Sequence, residues 1–135
     1  MRALFRVAPA VVLIFCAGCG EGGAPGKPDL PASVTPGWTR QSYDAAQPPA
    51  GLPAGPAPQC WKAVYSGLGN AEVWACAFAQ DGSAFDAAQR ANVGADAVKF
   101  QEGKYLIVVK WSAGSRADLT ALVRGIQGSF PATRQ

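Results

Sequence analysis

Histidine is absent from all 135 residues, and methionine occurs once. Without an imidazole, a serine or cysteine nucleophile lacks its usual base, and the commonest metal ligand is missing too. Charge is also scarce: 16% of residues are charged, with no run of Lys or Arg to mark a nucleic-acid face. Asp81, Asp86 and Asp96 suit turns and helix starts better than a paired acid. Gly67-Leu68-Gly69-Asn70 falls between two strand patterns, so it does not open a helix as a phosphate loop would. No catalytic residue, metal, cofactor or nucleic-acid partner is therefore expected, and a non-enzymatic role follows.

What is present begins at the N-terminus. Met1, Arg2 and Arg6 precede an apolar stretch from Val7 to Phe15, followed by Cys16-Ala17-Gly18-Cys19. The stretch is far shorter than the ~20 apolar residues that cross a bilayer. A basic start, a short apolar middle and small residues before a cysteine make an export signal. The arrangement resembles the signal peptide of bacterial lipoproteins, with Cys16 standing where that family usually carries an aliphatic residue. The resemblance implies that residues 1–18 are removed and that Cys19 is diacylated on sulfur, its new amino group being acylated as well. It also implies a place on the extracytoplasmic side of the membrane. With Gly20 after the cysteine, that means the outer membrane facing the periplasm in a host with two membranes. The other reading is an ordinary secreted protein, since Ala17 and Gly18 suit a general signal peptidase. Membrane lipid is the expected partner of the anchor. Losing Arg2 and Arg6 lowers the formal charge from +3 to +1.

Of four cysteines, Cys60 and Cys76 remain after this processing. An exported pair is most simply a disulfide. A metal site wants more ligands, and a redox couple usually has two residues between its cysteines.

Residues 19–58 read as a lipidated cysteine and a disordered tether. Nine of the eleven prolines lie between Gly20 and Pro58, with seven glycines and five charged residues. Proline donates no backbone hydrogen bond, and so few aliphatic side chains cannot offset the entropy of ordering. Trp38 and Tyr43 interrupt this composition. They either dock on the folded domain or stay in solvent.

The domain is expected over 59–135. Cys60 to Ser66 and Ala71 to Ala79 read as strands around Gly67-Leu68-Gly69. A three-residue turn with a left-handed Gly69 would set Ser66 opposite Asn70 and Cys60 opposite Cys76. A helix is expected from Ser83, capped through Asp86, to about Asn92. A second hairpin follows, turning at Glu102-Gly103 and pairing Phe100 with Tyr105. A second helix opens at Ser115, its buried stripe being Leu119, Leu122, Val123, Ile126 and Phe130.

Strand-strand-helix thus occurs twice, predicting an α+β fold: a four-stranded antiparallel sheet with two helices on one face (β-β-α-β-β-α). Val73, Ala75, Ala77, Tyr105, Ile107 and Val109 would face those helices. The opposite face would display Val64, Trp74, Phe78, Leu106 and Val108. So much apolar surface points to an interaction surface for an envelope protein or a second copy, unless the tether covers it. The alternative is a small-ligand carrier or an enzyme with its site between sheet and tether. Tyr65-x-Gly67, Ala84-Phe85-x-x-x-Gln89 and Gly103-x-Tyr105-Leu106-Ile107-Val108-Val109 resemble a pattern of uncharacterised small exported bacterial proteins. That likeness implies no activity.

Overall fold

Six strands and two helices account for the regular structure of residues 23–55 and 57–131, the part described by the structure, a computed structural model. The signal 1–18 and Cys19 lie outside the described residues. In chain order the elements are β1 (Ser33–Val34), β2 (Trp38–Ala46), β3 (Gln59–Ser66), β4 (Gly69–Ala77), α1 (Asp81–Arg90), β5 (Ala97–Glu102), β6 (Tyr105–Gly114) and α2 (Arg116–Gly128). The sheet order is β1-β2-β3-β4-β6-β5, antiparallel throughout. The α+β class holds, with six strands instead of four.

The β3–β4 hairpin has the register that its cysteine spacing demands. Ser66 faces Asn70, Cys60 faces Cys76, and the two sulfurs are bonded. The left-handed residue is Gly67, at φ 127°, not Gly69. A side chain on Gly67 would also strike the Gly37 carbonyl of the incoming chain. In the second hairpin the turn is Gly103-Lys104, so Phe100 faces Ile107 and Val98 faces Val109. This is two residues from the expected pairing. Because side chains alternate with period two, the slip leaves every residue on its expected face.

Helix α2 starts as its sequence indicates: the Ser115 hydroxyl accepts the Asp118 N–H at 3.1 Å. Helix α1 has its N-cap three residues before the expected Ser83. Gln80 is its N-cap without a side-chain bond, and Asp81 places a negative charge in the first turn.

The two helices lie on opposite faces of the sheet, which corrects the one-face expectation. Leu119, Leu122 and Ile126 of α2 pack with Val73, Ala75, Ile107 and Val109. On the reverse face, Ala87 and Ala88 of α1 pack with Cys60, Cys76, Leu106 and Val108. The central strands β4 and β6 are apolar on both sides, so each side needs a cover. The small alanines of α1 let that helix approach closely.

The supposed tether supplies β1, β2 and a strap before them, which corrects its reading as disordered. Trp38 is 1% exposed and donates its indole N–H to the Asp118 carbonyl at 2.8 Å. Trp38 and Tyr43 are five residues apart, so simple alternation would send them to opposite faces. A bulge between Arg40 and Ser42 resets the phase, and both reach the same core. In the strap, Pro25, Pro28 and Pro31 lack N–H groups and cannot extend a ladder. Their neighbourhood is held by side chains instead. Tyr43 donates to the Pro28 carbonyl at 2.6 Å, Tyr65 to Pro31 at 2.7 Å, and Tyr105 to Gly26. Arg40 donates to the Leu30 carbonyl at 2.7 Å, and Leu30 itself is buried in the core.

Candidate binding surfaces

The face expected to be open is largely closed. Leu106 is fully buried and Val108 is 1% exposed, both beneath α1. Phe78 and Trp74 are half-buried against the same cluster, joined by Leu52 and Val93. Residues 47–55, between β2 and β3, complete the cover through Leu52. Gly51, at φ 97°, accepts the Asn92 N–H at 2.9 Å, and a side chain there would collide with the Asn92 carbonyl. Leu106 and Val108 are therefore core residues, not interaction residues. The sequence pattern exposed them only because it placed α1 on the other side.

Three members of the expected surface keep partial access, Phe78 among them. Val64 and Trp74 are half-buried beside an ion pair of Lys62 and Glu72 at 3.2 Å. The Lys62 ammonium stands 5.5 Å from the Trp74 ring centroid. Asp96 and Lys110 stand beside Val64 and Trp74 as well, so both signs of charge are present and neither dominates.

Between the end of β4, α1 and residues 52–55, 57 and 58 lies a groove of about 720 Å³. Leu52, Pro53, Phe78 and Ala87 give it apolar walls, while Gln59, Gln80 and Ser83 add polar groups. Asp86 and Arg90 at its rim pair with each other at 3.2 Å. It occupies the space between sheet and tether.

A second groove, of about 640 Å³, runs between α2 and the β5–β6 hairpin. Its apolar lining comes from Val98, Trp111, Leu119 and Val123. Among the described residues, Arg116 and Arg124 are the charged ones along it, and no carboxylate lines it. Both arginines are exposed, and Val98 is 36% exposed. Strand β5 is the last in the sheet, so one of its edges has no strand partner among the described residues. Arg116, Thr120, Val123, Arg124 and Gln127 fall on one stripe of α2 by helical spacing. The sequence hides this groove because Val98 and Val123 look like ordinary core positions. The signal that points to it is the arginine pair eight residues apart, beside the buried stripe.

Shifted proton affinities gather along the strap. Burial raises Tyr65 to about 12, against the opposing pull of Arg40. Burial also pushes Tyr43 well above the ordinary phenol range, reinforced by Tyr65 and Tyr105. Tyr105 and Glu102 are raised by burial as well. These four residues line neither of the two larger grooves.

Among the described residues, no group of three or more Cys, Asp or Glu could hold a metal ion, and no helix is long and apolar enough to cross a membrane. Comparison of the chain with family models, with curated proteins and with solved structures finds no match.

Proposed function

We propose that this protein is a lipid-anchored accessory module of the cell envelope, tethered through Cys19 and binding an extended, acidic segment of a protein partner. Its role is non-enzymatic and needs no cofactor beyond the covalent lipid. The carrying observation is the groove beside α2: among the described residues it has an apolar floor, two cations without a carboxylate, and an unpaired strand edge next to it. Exposed strand edges take up extended peptides by main-chain pairing, with side-chain pockets giving selectivity.

The arginines set a spacing for the guest. Eight residues of helix separate Arg116 from Arg124 by about 12 Å. An extended chain covers about 13 Å in four residues, and residues i, i+2 and i+4 share a face. The fitting segment carries acids at i and i+4 around an apolar side chain at i+2, which meets Val98, Trp111 and Val123.

Titration of the full mature protein with a labelled peptide of that pattern tests the reading. Arg116→Glu together with Arg124→Glu should weaken binding about ten-fold, two reversed exposed pairs being worth about 1.4 kcal/mol. Lys62→Glu, on the other sheet face, should leave binding unchanged. Equal affinity of the double variant and the wild type refutes the groove. For the anchor, labelling with an alkyne fatty acid should mark the wild type and not Cys19→Ala.

A further inference from the structure

We propose that the domain lies directly against the lipid surface that holds its anchor, with the Gly103-Lys104 turn, Phe130 and Pro131 facing the headgroups. This inference rests on the lipid-anchor reading of Cys19 and adds an orientation to it.

The argument starts from chain length. A disordered tether over residues 20–58 would have a root-mean-square span of about 35 Å, enough to let the domain tumble freely. The chain is instead fixed to the domain from Pro25 onward. Tyr105 holds Gly26, Tyr43 holds Pro28, Arg40 holds Leu30 and Tyr65 holds Pro31. Lys27 adds a bond from its ammonium to the Tyr43 carbonyl at 2.8 Å. Only Gly20, Glu21 and Gly22 separate Cys19 from the first described residue, Gly23. Four residue steps reach about 14 Å at most. The lipidated sulfur must sit at the membrane, so Gly23 cannot stand further from it than that.

Where the strap begins decides which end faces the lipid. Pro25 shares a shallow apolar pocket of about 210 Å³ with Glu102, Gly103, Lys104, Tyr105, Phe130 and Pro131. The Tyr105 and Phe130 rings meet there with centroids 5.7 Å apart. Half-buried aromatics beside a lysine are the side-chain mixture that settles at headgroup level, the rings in the apolar boundary and the ammonium among phosphates. Glu102 is the carboxylate of this rim, and its burial already disfavours its charged form. The β3–β4 turn lies at the opposite end of the sheet, because Ala77 pairs with Tyr105 while Asn70 pairs with Ser66. Asn70 is about 24 Å further along the strand than Ala77.

The test uses the lipidated protein extracted from membranes and reconstituted into vesicles of phosphatidylethanolamine and phosphatidylglycerol. A fluorophore is placed on Lys104→Cys, on Pro131→Cys or on Asn70→Cys, and a quencher is carried on the lipid headgroups. Labels at 104 and 131 should be quenched several-fold more than the label at 70. Two near-end positions are used so that a folding defect in one variant leaves the other to decide. Equal quenching at both ends, or stronger quenching at 70, overturns the orientation. Mass measurement of the N-terminal peptide separates the two failures. A chain without lipid overturns the anchor and the orientation with it, whereas a lipidated chain with uniform quenching overturns the orientation alone.

Discussion

The Tyr65 hydroxyl in β3 donates to the Pro31 carbonyl, 34 residues earlier in the chain, at 2.7 Å. Tyr65 is fully buried and Pro31 half-buried, so the bond is partly shielded from water. Tyr43 and Tyr105, half-buried on the same α2 side of the sheet, donate to the strap as well. Proline-rich backbone offers carbonyls without matching N–H groups, and phenols answer that need, since each has one O–H to donate. The strap is thereby ordered without becoming a strand.

Removing the Tyr65 hydroxyl should be costly for its size. Tyr65→Phe keeps the ring and leaves the Pro31 carbonyl without its donor, at a cost of about 1–3 kcal/mol. Urea unfolding would measure it. An unchanged midpoint would show that the Tyr65 bond adds nothing to the hold of the other strap contacts.

The same tyrosines set an alkaline limit. An unfolded tyrosine ionises near pH 10. Tyr65 in the fold resists until about pH 12, and Tyr43 and Tyr105 are raised too. Above pH 10 the unfolded chain thus loses protons that the native chain keeps, and stability falls as pH rises. Native stability from this source is complete below pH 10 and declines from there. Ultraviolet phenolate titration should show the tyrosines ionising together with loss of structure. Independent titration of all three at pH 10 in a folded protein would contradict the burial argument.

The disulfide closes a 16-residue separation beneath α1, where Cys60 and Cys76 are both buried. Chain-entropy reasoning gives about 3 kcal/mol for such a loop. Cys60→Ser should therefore lower stability by about 2–4 kcal/mol and release one free thiol. Two reactive thiols in the exported wild type would refute the bridge.

How much of this was legible in the sequence depended on whether the deciding partner was local. The first hairpin was legible because Cys60, Cys76 and the glycine turn constrain one another within seventeen residues of chain. Helix α2 was legible because Ser115 and Asp118 are neighbours. The strap was not, since its partners Tyr65 and Tyr105 lie far downstream and no local pattern announces them. The side taken by α1 was equally hidden, because β4 and β6 are apolar on both faces and alternation alone ranks neither. The groove was missed for a related reason: its floor is built from valines that resemble core.

Burial now separates residues that the strand pattern grouped together. Leu106→Ala should cost about 2–5 kcal/mol, as expected for a fully buried leucine. Trp74 is half-buried at the margin of the same cluster, and Trp74→Ala should cost clearly less. Thermal melts of the two variants would decide. A larger loss from Trp74→Ala would mean that its indole, not the side chains under α1, carries this face of the sheet.

Gly125 offers a test of how closely α2 approaches β1. In an exposed helix interior, Gly→Ala usually gains up to about 1 kcal/mol from reduced backbone freedom. Here the new methyl would overlap a methyl of Val34, with the second Val34 methyl 3.2 Å away. Val34 is buried, and its branched side chain has few other rotamers to adopt. Overpacking of this kind typically costs about 1–3 kcal/mol, which exceeds the propensity gain. Gly125→Ala should thus destabilise the protein, and Gly125→Ala combined with Val34→Ala should recover part of the loss. A stabilised single variant would show that β1 moves away from α2 at little cost. The strap leading into β1 would then be looser than its tyrosine bonds imply.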